Sequence, residues 1–187
     1  TADEIADVAT LHLKAARRPM VSFGQGCEGE PLVAAPLIED AIRKIRTSTK
    51  RGRINMNTNG SISAAVERLI EAGLDHIRVS LNSARESLYT AYYRPANYRF
   101  RDVARSIRAA SFGGVTTTIN LLTFPGITDR DAEIDALAAL VADARVDLVQ
   151  IRNLAIDPDL YQSVAGKPAP ALGIRELIRR IKHARPE

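Results

Sequence analysis

Five short runs rich in apolar and β-branched residues, at 20–23, 54–57, 75–81, 115–122 and 146–152, are separated by stretches with helical periodicity. Their starts lie about 25 to 40 residues apart, the spacing of strand–helix–strand units with right-handed crossovers. That rhythm restricts the chain to an α/β fold around a parallel sheet. With 187 residues it is too short for a closed barrel of eight units, which takes about 250. The expectation is a partial parallel (β/α) barrel, with an open doubly wound sheet as the alternative.

Parallel strands bring their carboxyl ends to one edge, and that edge is where ligands bind. The first run ends in Val21-Ser22-Phe23-Gly24-Gln25-Gly26-Cys27-Glu28-Gly29-Glu30-Pro31, a polar, glycine-dense turn opening a helix. Glycines let backbone groups crowd a ligand, and Glu30 offers a negative charge either to an amine or to the N-terminus of the following helix. Later runs end in Thr58-Asn59-Gly60, Ser80-Leu81-Asn82-Ser83 and Gln150-Ile151-Arg152-Asn153. Ser80 and Asn82 alternate with Leu81 and share a strand face. Arg78 points the same way, as either a buried ion-pair partner or a substrate contact. Gln150 and Arg152 share a face that can hold an anionic substrate group or merely fill the interior. Gly24, Gly26 and Gly29 are outside the strand-turn-helix frame of the dinucleotide fingerprint, because Pro31 follows where helix and sheet would touch, and no phosphate-loop lysine is present.

The first helix is expected over 4–18 with Val8, Leu11 and Ala15 inward, and the second over 32–47 with a stripe of Leu37, Ile38, Ala41, Ile42 and Ile45. Ser61 or Ser63 should cap a helix that Gly73 ends, and Thr128 or Asp129 one that starts at 131. Tyr89, Tyr92 and Tyr93 are read as packing a helix on the sheet, and His76 as a satisfied structural histidine at a strand start. Residues 155–170, rich in Pro and Asp, read as an irregular loop, with Asp157-Pro158-Asp159 as a surface turn or a closure over substrate. A basic helix follows at 172–182.

A single cysteine, Cys27, excludes an internal disulfide and a self-contained thiolate metal site; it is read as a small pocket-lining thiol. No His pair has metal-ligand spacing. No apolar run approaches the roughly 20 residues of a membrane span and no export signal is visible, which suits a cytoplasmic protein. The net charge of +4 gathers at 43–53 and 175–185, with acidic neighbours Glu39, Asp40 and Glu176 and no interleaved aromatics. These runs are read as solvated helix faces, with an RNA-binding or scaffold module as an alternative.

The segments Cys27-Glu28-Gly29-Glu30-Pro31, Asn57-Thr58-Asn59-Gly60, Gly73 through Asn82, Pro125-Gly126 and Val149 through Leu154 carry, in order and spacing, a resemblance to the radical S-adenosylmethionine (SAM) enzymes. It covers roughly residues 5 to 162. The resemblance implies a six-unit partial barrel, a 4Fe-4S cluster on a Cys-x-x-x-Cys-x-x-Cys loop, and SAM cleaved on that cluster to a 5'-deoxyadenosyl radical that abstracts hydrogen from substrate. Carried over by position, Glu28, Gly29 and Glu30 match the family's Gly-Gly-Glu motif, with Glu30 receiving the SAM ammonium. Ser80 and Asn82 match residues that bind its ribose or carboxylate, and Asn59 faces the same cleft. Asn120, Gln150 and Arg152 fall where substrate or SAM contacts occur. The cysteine triplet and the strand that bears it are absent, and the family's adenine motif is not recognisable at Asn120-Leu121-Leu122-Thr123. The resemblance therefore implies residues 1–162 as an incomplete core, with 163–187 a linker and basic helix leading onward and the cluster ligated outside this chain. It further implies a reductant such as flavodoxin or ferredoxin, and an exposed strand edge that can support a dimer. The alternative enzyme class is a cluster-free parallel barrel binding phosphate or nucleotide.

Overall fold

The computed structural model describes residues 1–26 and 29–185. Helix α1 (Ala2–Ala15) precedes strand β1 (Met20–Phe23); a 3-10 turn (Pro31–Ala34) leads into α2 (Ala35–Ser48). There follow β2 (Arg53–Thr58), α3 (Ser63–Ala72), β3 (His76–Leu81), α4 (Glu86–Tyr93), α5 (Phe100–Phe112) and β4 (Thr116–Thr123). The chain continues with α6 (Asp131–Asp143), β5 (Leu148–Asn153), α7 (Pro158–Ala165) and α8 (Ile174–Ala184). The strands form one parallel sheet in sequence order, as the spacing predicts.

Period-2 alternation divides the sheet into two unlike faces. Ile54, Met56, Ile77, Val79, Leu81, Ile119 and Leu121 are buried in one cluster with Leu13, Ile42, Leu69, Ile107, Ile134 and Leu177 from the helices. The opposite face is polar and runs in rows set by the register. Ser22, Asn55 and His76 form the lowest row, Asn57, Arg78 and Thr118 the next, and Ser80, Asn120 and Gln150 the third. Arg152 lies one step higher, opposite Leu122.

Several local expectations are corrected. On α1 the buried stripe is Ala2, Ala6, Ala9 and Leu13, while Val8 and Leu11 are 74% and 75% exposed. Alanines let α1 lie close to α2, and the bulkier face is turned outward. Leu37 is exposed rather than part of the α2 stripe, and Pro36 confines the α-helix to residues after the 3-10 turn. Neither Ser61 nor Ser63 caps α3 by its side chain. Thr128 and Asp129 bind Phe124 N and Gly126 N, closing the turn before α6 rather than capping the helix. The stretch expected to be irregular contains α7, started by Asp157 accepting from Leu160 N and by Pro158 in the first turn. Gly73 ends α3 at φ 113°, as expected.

Candidate functional site

The turn after β1 meets the end of β2 too closely for any side chain. A Cβ at Gly24, where φ is +75°, would stand 2.2 Å from Asn57 O, and Asn57 Nδ2 donates to Gly24 O at 3.2 Å. Glu30 ties the end of β2 to the start of the 3-10 turn. One carboxylate oxygen accepts from Leu32 N and Thr58 Oγ1, and the other from Asn59 N at 2.7 Å. Asn59 Oδ1 in turn accepts from Ser61 N. Of the roughly four lone-pair sites on a carboxylate, three are thus taken by the protein, and the helix-capping role is real.

Beside this turn the polar face opens as a cleft of about 280 Å³, lined by Gly24, Gln25, Gly26, Asn57, Arg78, Ser80, Asn120 and Arg152. Asn120 Nδ2 donates to Ser80 Oγ at 3.3 Å, and Tyr93 Oη donates to Ser80 O at 3.2 Å, fixing the end of β3. Burial pushes the Tyr93 phenol up, so it stays a neutral donor. Four side-chain atoms on the polar rows are buried without any hydrogen-bond partner: Asn55 Oδ1 in the lowest row, and Arg78 Nε, Asn120 Oδ1 and Gln150 Oε1 in the two rows above it. A buried polar atom left unpaired costs about 1–3 kcal/mol, so the three in the upper two rows mark a surface shaped for polar ligand atoms.

Among the sequence candidates, Ser80, Asn120 and Arg152 line the cleft, and Gln150 stands in the row of Ser80 and Asn120. Gly29 (φ 80°), Glu30 and Asn59 build the adjoining turn. Glu28 and Cys27 lie outside the described residues. Asn82 is brought elsewhere: it is fully buried, donating to Leu88 O and the Tyr161 hydroxyl beneath α4 and α7. Asn57 was missed, although the alternation Arg53-Ile54-Asn55-Met56-Asn57 contains the signal. Arg78 has no hydrogen bond or ion pair among the described residues, which removes the ion-pair reading. His76 is structural, with Nε2 2.8 Å from Thr118 Oγ1.

A parallel sheet with helices on one face and a polar cleft at its carboxyl ends defines a ligand-binding α/β partial barrel. The radical SAM superfamily model matches residues 1–139, and the chain belongs to that superfamily. A GTP 3',8-cyclase from Paenarthrobacter nicotinovorans is 34% identical over 134 residues, covering 70% of this chain and 36% of the relative. The chain thus spans about a third of that relative's length. Two solved structures share the fold. A domain of a pyruvate-formate lyase-activating enzyme from Bacteroides vulgatus has a TM-score of 0.61 at 12% identity, with 88% of this chain and 93% of that one covered. Streptococcus suis SuiB bound to S-adenosylmethionine has a TM-score of 0.62 at 14% identity, covering 97% and 39%.

Members of the superfamily bind SAM and a 4Fe-4S cluster. The residues here fit the first group and not the second. Unpaired donors and acceptors line a cleft beside a glycine turn, which suits a zwitterionic ligand. A cluster needs three thiolates, whereas the chain has one cysteine, and no group of three His, Cys, Asp or Glu able to hold a metal occurs among the described residues. No described helix is long and apolar enough to cross a membrane.

Proposed function

We propose that this chain is the SAM-holding part of a radical SAM enzyme whose cluster is ligated by residues outside it. The observation that carries the reading is the row Ser80–Asn120–Gln150, with Asn120 Oδ1 and Gln150 Oε1 unpaired, in a chain of this superfamily whose cleft Gly24 also lines. Held by these residues, SAM would supply 5'-deoxyadenosyl radical chemistry for removing hydrogen from substrate, with the electron provided by a reductant such as flavodoxin or ferredoxin. This chain's residues orient and enclose. Glu30 clamps the end of β2 to the start of the 3-10 turn and keeps one carboxylate lone pair for an ammonium. Gly29 allows close approach of the ligand's amino-acid end, and Asn59 holds the turn beside it. Ser80 offers a hydroxyl to ribose or carboxylate and Asn120 an amide oxygen to a ribose hydroxyl, while Tyr93 keeps Ser80 in place. Asn82 acts at one remove by anchoring α4 and α7.

The basic runs give no support to an RNA-binding reading. Arg180 is paired with Glu176, Asp131 and Asp135, Arg179 with Glu176, Arg43 with Glu39 and Arg46 with Asp75. The test is equilibrium dialysis of this chain against radiolabelled SAM. Saturable binding that falls about tenfold in Ser80→Val/Asn120→Leu, the loss of about 1.4 kcal/mol, is expected. Absence of binding, or binding indifferent to both substitutions, would sink the proposal.

A further inference from the structure

We infer that the substrate handled at this cleft is an anion, carrying carboxylate or phosphate groups that bind Arg78 and Arg152; this rests on reading the cleft as the SAM site. Both guanidiniums line the same cavity, and neither has a hydrogen bond or ion pair among the described residues. The contrast with Arg46 gives the observation its weight. Arg46, the more deeply buried, reaches Asp75, Gly73 O and Gly52 O. A guanidinium with a structural role is paired in this protein, and Arg78 is not.

Charge decides between the possible ligands. SAM carries a sulfonium and an ammonium against a single carboxylate, so it is itself cationic. Two free guanidiniums beside it add like charge, most strongly at Arg78, whose Nε is buried and where repulsion is less screened than in water. SAM's one carboxylate can answer one arginine at most. A second anion is required, and it must come from the substrate.

The register places the two arginines at different depths. Arg78 is in the row of Asn57 and Thr118, and Arg152 is opposite Leu122, two strands across and four residues nearer the strand ends. With strands about 4.8 Å apart and a rise of about 3.3 Å per residue, their backbones are separated by about 10 Å across and 13 Å along the sheet. Arms of this length converge on a ligand lying along the cleft from floor to rim, with its acidic group or groups against the planar forks.

The experiment titrates this chain with sodium pyrophosphate and, separately, sodium glutarate at fixed ionic strength, with and without saturating SAM. At least one anion is expected to bind, to bind several-fold more tightly when SAM is present, and to lose about tenfold in affinity in Arg78→Met or Arg152→Met. Arg152 is exposed at the rim, so its variant carries the test if Arg78→Met fails to fold. A preference for pyrophosphate or for glutarate assigns the group as phosphate or carboxylate. Displacement of SAM by the anion would overturn the inference, because the arginines would then serve SAM's own carboxylate. So would anion affinity unchanged in both variants, or a chain that binds SAM and neither anion. Anion binding without any SAM binding would leave the arginine site standing and remove the SAM reading instead.

Discussion

The two ends of the parallel sheet treat their polar groups in opposite ways. At the amino end, Asp75 accepts from Ile54 N at 2.6 Å and from Arg46, while Asp147 accepts from Thr117 N at 2.7 Å. Each carboxylate closes a strand start that would otherwise leave a backbone donor open. At the carboxyl end, Arg78, Asn120 and Gln150 keep buried atoms with no partner. Both ends are polar and partly enclosed, so burial alone does not separate them. What separates them is the degree of completion: at the first end Asp75 and Asp147 are paired and Asn55 Oδ1 alone of the lowest row is left open, whereas the second keeps three open atoms in its two rows.

The largest effect is expected where the satisfied end is broken. Asp75→Ala leaves Ile54 N and the Arg46 guanidinium without their acceptor, and should destabilise by about 2–3 kcal/mol in urea unfolding, the cost of removing a charged hydrogen-bonding partner. A loss under about 0.5 kcal/mol would mean that the amino end owes its order to packing, and the comparison would fail there.

Glu30 is next, since it is complete within the protein yet stands at the open end. Glu30→Gln places an amide N–H₂ against one of the donors that the carboxylate now accepts from, Leu32 N, Thr58 Oγ1 or Asn59 N. A destabilisation of about 1–2 kcal/mol follows, together with weaker SAM retention in dialysis. Full stability with lost SAM retention would make Glu30 a pure ligand contact and remove its part in the clamp.

These contrasts explain how far the sequence could be read. Strand spacing disclosed the parallel sheet, and the alternation around Ser80 disclosed part of the polar face, because both depend on neighbours close in the chain. Two of Glu30's three donors come from residues 28 and 29 positions away, so a cap and a ligand contact look alike before the β2 end is in place. Asn82 was read with Ser80 by periodicity, but the strand ends at Leu81, and Tyr161, 79 positions further on, claims its amide. The start signals of α7, Asp157 and Pro158, were present in a composition that resembled a loop. On α1 the alanine face won over the bulkier one, a choice that only the α2 neighbour dictates.

At the open end the sign should reverse. Arg78→Met removes a guanidinium whose buried Nε has no partner and keeps most of the volume. Its unfolding free energy should be unchanged or rise by about 0.5–1 kcal/mol, since exchanging a half-buried guanidinium with one unsatisfied buried N–H for an apolar group of similar shape is neutral to favourable. A marked fall would reveal a structural role for Arg78 and blur the line between the two ends.

The smallest effect belongs to His76, the first residue of β3, in the lowest polar row. Burial, then the positive charges of Arg78 and Arg53, hold its imidazole below the ordinary histidine range, against a weaker opposite pull from Asp147. The unfolded chain therefore takes up a proton on this histidine at a higher pH than the folded one. Stability is full above the ordinary histidine range and declines as pH falls through it toward the lower folded value. The carboxylates held low by arginines act in a separate, more acidic window: Glu176, at about 2 beside Arg179 and Arg180, contributes stability that is lost only as pH falls from the usual glutamate range toward that value. A shallow decline in the urea midpoint between pH 7.5 and pH 5.5, flattened in His76→Gln, is the expected result. A slope that persists unchanged in the variant would assign the proton uptake to another group, and would leave His76 as closed to its surroundings as the paired carboxylates of the amino end.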